Sequence, residues 1–269
     1  MSRGRKSSPS EGGFTLVEMI AVLAIISILA SAIAPNIASQ LKRARSDAED
    51  ATLAGLSRML TETVIRNHAI PGTGTWANEL AVLSDLPPIR IGTNEDNFPR
   101  VFVVDPGWLP VGTLPAAGGW TQTHALSWGL AGAIPSRCRI LLFSGSQQDL
   151  SAVCGGLTAV EFDQIWNTQG GPAACREGDN VRIGRANLTS LFHQVTISSS
   201  ANGHFSFDTP SISPAPAPQL FGSGSRTIPV LNGTRISFRD GVAGVNVLAE
   251  IVAKGPLSAT WDGTAWAVP

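Results

Sequence analysis

Residues Phe14 to Ala34 form a run of 21 that is predominantly apolar and carries one ionisable side chain, Glu18. At 1.5 Å per helical residue the run spans about 30 Å, the thickness of a bilayer's hydrocarbon core. A carboxylate at that depth costs a few kcal/mol and calls for a partner. The same segment offers no basic side chain, because the next ones are Lys42, Arg43 and Arg45. Cleavage after Gly13 would create an α-amine on Phe14, one helical turn from Glu18, in the same subunit or in a neighbouring one. Residues 1–13 hold Arg3, Arg5 and Lys6 against Glu11. Positive flanks stay cytoplasmic, so the C-terminal bulk is expected on the other side of the membrane. A plain anchor would have no use for Glu18. A conventional secretory signal has a shorter apolar stretch and an Ala-x-Ala site. Ala30-Ser31-Ala32 and Ala32-Ile33-Ala34 fit that last element, but the run is too long and Pro35 follows Ala34 directly.

The basic leader, the Gly13-Phe14 junction, Thr15-Leu16-Val17-Glu18 and the apolar run together resemble the N-terminal signature of type IV pilins and type II secretion pseudopilins. The resemblance covers residues 1–66. It implies cleavage after Gly13 by a prepilin peptidase and N-methylation of Phe14, which keeps the positive charge. It also implies that Glu18 meets the Phe14 amine of an adjacent subunit and sets the register of a filament. The implied partners are the peptidase, other pilin or pseudopilin subunits, an inner-membrane assembly platform and membrane lipid. The implied location is the bacterial inner membrane, single pass, with the head in the periplasm. After assembly the head belongs to a periplasmic pseudopilus or a surface filament.

Pro35 removes one helical hydrogen bond and crowds the preceding turn. It either kinks the helix or stops it, and the helical periodicity beyond it favours the kink. Ile37, Leu41, Ala44, Ala48 and Ala51 recur at three- and four-residue steps, the spacing of an amphipathic helix. Leu53, Leu56, Leu60 and Val64 continue an apolar stripe that should pack on the head. Lys42, Arg43 and Arg45 followed by Asp47, Glu49 and Asp50 either pair between neighbouring subunits or form a solvated face. Asn67, Pro71 and Gly72 end the helix. The organisation expected is a leader at 1–13, a transmembrane helix at 14–35, an amphipathic stalk at 36–68 and a head at 69–269.

The head is large enough for one sizeable core. The chain has 28 Gly and 18 Pro, no Tyr and seven Trp, a turn-rich, β-rich composition. Arg100 to Val104, Arg139 to Phe143 and Val242 to Val252 read as strands, and Ala159 to Trp166 as a short helix. Asn202-Gly203, Asn232-Gly233 and Asp262-Gly263 sit between strand-like runs and read as hairpin turns. The last is the clearest, with Trp261 and Trp266 placed to share one face against the stalk or a sheet. Ser211 to Gln219 is a Pro-rich loop expected to protrude. The fold class expected is α+β and pilin-like: a long N-terminal stalk helix packed on an antiparallel β-sheet head.

Cys138, Cys154 and Cys175 allow one bridge and leave one thiol. Spacing does not choose among three pairings. Cys154–Cys175 is preferred because it would close a loop around the short helix; alternatively all three are small buried apolar side chains. Motifs for catalysis are missing: there is no P-loop, no Gly-x-Ser-x-Gly elbow and no His-x-x-x-His, so no catalytic residue and no enzyme is expected. Cysteine spacing does not indicate zinc, and Glu177-Gly178-Asp179-Asn180 and Asp240 lack an EF-hand series. No cofactor is expected. Some secretion-type relatives hold structural calcium in a C-terminal loop, but that site maps onto no residues here. A net charge of −1 gives no footprint for nucleic acid. The reading is a structural pseudopilin or minor-pilin subunit, the alternative a filament-tip adhesin or cargo-binding module.

Overall fold

The computed structural model describes residues 15–107, 120–121, 137–168, 170–178, 180–208, 218–240 and 246–268. Gly13, Phe14, Asp179 and 211–217 of the Pro-rich stretch lie outside the described residues. The chain divides into two compact units, Met1–Ala48 and Glu49–Pro269.

A 52-residue helix, α1, runs from Leu16 to Asn67. It continues through Pro35, so the reading in which Pro35 stops the helix is corrected. Proline forfeits one internal bond, and the good helix formers on both sides sustain the rest. In the first unit the apolar side chains lie outward, with Leu16 76% and Ile28 68% exposed. By length and composition this helix is able to cross a membrane.

The second unit begins with the last turns of α1. After it come β1 (Ala69–Ile70), α2 (Trp76–Ala81), α3 (Pro88–Gly92), β2 (Val101–Val104) and β3 (Trp120–Thr121). Then follow β4 (Arg139–Gly145), α4 (Ser151–Cys154), α5 (Ala159–Thr168) and β5 (Val181–Asn187). Strands β2, β4 and β5 form an antiparallel sheet in that order. One face carries Phe102, Val104, Ile140, Leu142 and Ala186 against Leu53, Leu56, Leu60 and Val64 of α1. The opposite face carries Val101, Val103, Leu141 and Phe143 against Leu150, Phe162 and Ile165 from the α4–α5 layer. Covering both faces explains why β4 reads as a continuous apolar run rather than an alternating one. Gly184 lets α1 approach closely: a Cβ there would lie 3.1 Å from Leu53 Cβ and 3.1 Å from Ser57 Oγ.

The C-terminal part folds as a separate pair of sheets. Its strands are β6 (Phe192–Ser199), β7 (Gly203–Phe207), β8 (Gln219–Phe221) and β9 (Gly224–Leu231). They continue with β10 (Arg235–Arg239), β11 (Val247–Val252), β12 (Leu257–Trp261) and β13 (Trp266–Ala267). One sheet has the order β13-β12-β6-β9 and the other β11-β10-β7-β8. Val195, Ile197, Phe205, Phe221, Ile236, Phe238, Trp261 and Trp266 fill the space between them. The expectation of a single core therefore gives way to distinct cores among the described residues, because the β2-β4-β5 sheet separates two and the sandwich encloses another.

Two hairpin readings are corrected. Strands β6 and β7 lie in different sheets, and so do β9 and β10. Gly203 is there for packing, since a Cβ would meet Trp266 Cζ2 at 2.9 Å and Trp261 Cδ1 at 3.1 Å. Gly233 does turn the chain, at φ +86°, but as a corner between sheets, with its N–H donating to the Ala253 carbonyl. Asp262-Gly263 is a hairpin, with Trp261 opposite Trp266. Both indoles face the sandwich core and not the stalk. Strand β12 runs parallel to β6, a departure from a wholly antiparallel head. Between them the chain visits the second sheet as β7 and β8, returns as β9 antiparallel to β6, leaves again as β10 and β11, and re-enters as β12.

Candidate functional site

The candidate site is the start of α1. The Thr15 main-chain N–H and hydroxyl each donate to Glu18 Oε2 at 2.8 Å. The Glu18 N–H donates back to Thr15 Oγ1 at 3.3 Å. This is a capping box, in which two groups satisfy each other's orphan donors at a helix start. The Thr-x-x-Glu pattern before an apolar run is its sequence signature, a local role for Glu18 beside the one its charge implies. Further along, the Ser27 hydroxyl donates to the Leu23 carbonyl at 2.7 Å and Ser31 to Ile28 at 2.8 Å. The hydroxyls of the apolar run thus close on their own helix, as a hydrocarbon surrounding requires. Gly13 and Phe14, the expected cleavage and methylation positions, lie outside the described residues. Pro35 sits within α1.

In the head, polar chemistry is spent on structure. Cys154 and Cys175 are joined by a disulfide with Cα atoms 5.8 Å apart, which ties α4 to the segment after α5. Cys138 is a free, fully buried thiol. Burial pushes its pKa well up, and the nearby Asp105 charge adds to this, so it is a poor nucleophile. Arg100 is almost wholly buried and directs its guanidinium to both Glu49 oxygens, at 2.7 and 2.9 Å. It also donates to the carbonyls of Arg90, Ile91 and Thr93, fixing the α2–α3 segment to the stalk. Arg139 bridges Asp105 and Asp163 and lies 5.1 Å from the Trp166 ring centre. His68 and His204 donate from Nδ1 to the carbonyls of Asp208 and Asp240. Among the described residues no group of three or more His, Cys, Asp or Glu is placed to hold a metal ion.

The family described as the prokaryotic N-terminal methylation motif matches residues 9–34. The chain is similar to the type II secretion system core protein G of Escherichia coli (strain K12). The two are 27% identical over 101 residues, which is 38% of this chain and 70% of that protein. No solved structure matches. The methylation motif at its start, this relative, and a long apolar helix leading into a sheet head support a likeness to pilins and pseudopilins.

Proposed function

We propose that this chain is a structural, non-enzymatic subunit of a type II secretion pseudopilus or a type IV pilus-like filament. The observation that carries the reading is the methylation-motif match at residues 9–34 on a chain whose α1 runs 52 residues from Leu16. In this reading a prepilin peptidase cuts after Gly13, Phe14 is methylated, and α1 holds the subunit in the inner membrane with the head in the periplasm. An assembly platform then draws subunits from lipid into a filament.

The physical step is an exchange of partners for one carboxylate. In the isolated chain Glu18 is held by Thr15. Inside a bundle of apolar helices the cationic amine of a neighbour's Phe14 is a better partner, since a charge-assisted bond gains strength where water is excluded. Pro35 supplies a local loosening of α1 for the bend that bundling requires. The test is recovery of sheared or periplasmic filaments from cells expressing wild type, Glu18→Ala and Glu18→Gln. Wild type is expected in the filament fraction, with both variants confined to the membrane. Equal recovery of all three would overturn the role of Glu18.

The second reading, a cargo-binding or adhesive tip, is favoured by the separate C-terminal sandwich. It has its own core, and similarity to the secretion relative accounts for only 38% of the chain.

A further inference from the structure

The three cysteines lie on two sides of one sheet. Cys138 leads into β4 and is buried with Ile140 and Leu142 in the core that faces α1. Cys154 and Cys175 are buried with Leu141 and Phe143 in the core on the opposite face, where they form the bridge. All three side chains are fully buried. A disulfide needs Cα atoms within about 7 Å and side chains turned toward each other. Side chains alternate across a strand, so β4 stands between Cys138 and both other sulfurs. A bridge from Cys138 is therefore incompatible with the folded β2-β4-β5 layer. In the unfolded chain nothing enforces that separation. By residue number Cys138 and Cys154 are 16 apart, Cys154 and Cys175 are 21 apart, and Cys138 and Cys175 are 37 apart. Loop closure falls off as about the three-halves power of length. On that scale about half of the first-formed bridges join Cys138 to Cys154, about a third are native, and about a sixth join Cys138 to Cys175.

We propose that this chain is a substrate of a thiol–disulfide isomerase, which frees Cys138 from mispaired bridges before the helix–sheet layer of the head closes. The first bridge forms when a disulfide oxidant takes two thiols of the chain to a disulfide and is itself reduced to two thiols. Rearrangement then needs no further oxidant. In a Cys138–Cys154 bridge the isomerase thiolate attacks Cys154 Sγ, and Cys138 leaves as a thiolate that takes up a proton. The Cys175 thiolate next attacks Cys154 Sγ in the mixed disulfide. The native bridge forms and the isomerase thiolate is released. A Cys138–Cys175 bridge is resolved in the same way, through attack on Cys175 Sγ and then by the Cys154 thiolate. Folding ends the exchange, because a thiolate must reach the sulfur it attacks and all three sulfurs are then buried. The bridge by itself calls for an oxidising compartment, so the inference does not depend on filament assembly.

The test starts from full-length wild type, reduced and unfolded in guanidinium. It is diluted into detergent micelles with a glutathione redox buffer at neutral pH, with and without a purified thiol–disulfide isomerase. Free thiols are blocked with N-ethylmaleimide at successive times, and bridges are assigned by peptide mass spectrometry. Native pairs are expected in about a third of the first-formed bridges. Cys138→Ala has one pairing open to it, so its initial native yield should be about threefold that of wild type. The isomerase should bring wild type to the level of Cys138→Ala and leave that variant's rate of native pairing unchanged. Cys138→Ser repeats the comparison with a different side chain in the core, and the pairing census on wild type needs neither variant. Predominantly native first bridges in wild type would overturn the proposal, by showing that folding precedes oxidation. Equal dependence on the isomerase in wild type and the Cys138 variants, or none in any of them, would also overturn it.

Discussion

Removing the Glu49 carboxylate tests the packing logic of the head. Arg100 has a side chain 3% exposed and Glu49 one 14% exposed, so neither is offset by water to any great extent. Arg100 gives two bonds to Glu49 and three to main-chain carbonyls. In Glu49→Ala the three carbonyl bonds survive, but the guanidinium loses its counter-charge and cannot shed its own proton. Breaking a buried pair in this way costs about 3–5 kcal/mol. At about 2–4 °C per kcal/mol for a domain of this size, a loss of about 4 kcal/mol lowers Tm by about 8–16 °C. Intrinsic tryptophan fluorescence reports on the head alone, because all seven Trp lie beyond residue 67. The double variant Glu49→Leu/Arg100→Met should lose less than the sum of its single variants, since no charge stays stranded. A Glu49→Ala shift below about 2 °C would refute the reasoning and mean that the guanidinium finds water.

Other outcomes follow from neighbouring features. Cys154→Ala removes a link across a sequence separation of 21, and chain entropy gives a loss of about 3 kcal/mol, readable by urea titration. In the wild-type chain, with the bridge intact, native Cys138 should resist iodoacetamide at pH 8 and react once unfolded, because it is buried with a raised pKa. Gly184→Ala should cost about 1–3 kcal/mol by pushing Leu53 and Ser57, while Gly156→Ala, with open space around it, should be silent by the same titration. Asp163 is held below the usual carboxylate range by its hydrogen bond from Arg139, with burial opposing and the Arg139 and Arg137 charges assisting. A depressed folded pKa gives stability that is complete above the unfolded value of about 3.9 and lost as pH falls through the folded value. Asp163→Asn should therefore destabilise by a constant amount above about pH 5 and flatten the acid limb below about pH 4, measured as urea midpoints from pH 2.5 to 7.

What could be read from the sequence followed the strength of local signals. The apolar stripe Leu53, Leu56, Leu60 and Val64 gave the buried face of α1 directly, since helix periodicity and burial share one cause. Asp262-Gly263 gave a hairpin because the turn and both flanking Trp are local. Asn202-Gly203 carried the same dipeptide signal for a different reason. Gly203 makes room for Trp261 and Trp266, which lie some sixty residues further along the chain. Long-range packing of that kind leaves no periodic trace. The division of the head into a helix–sheet layer and a sandwich was hidden for a related reason: both parts are built from short strands, and their partners are set by topology. The pairing of Arg100 with Glu49, 51 residues apart, is equally invisible, because no local spacing sets Glu49 apart from the charges around it. At the N-terminus the position was the reverse. The residues proposed to carry function, Gly13 to Glu18, form one short contiguous pattern within the matched methylation motif, and contiguity is what makes a motif readable.

The central claim is processing into a filament subunit, and the mature N-terminus tests it most directly. Membrane-fraction protein from cells that contain a prepilin peptidase would be analysed by intact mass and N-terminal peptide mass spectrometry. The account predicts a chain that begins at N-methyl-Phe14. A chain beginning at Ile33 or Pro35, or one retaining Met1, would contradict it.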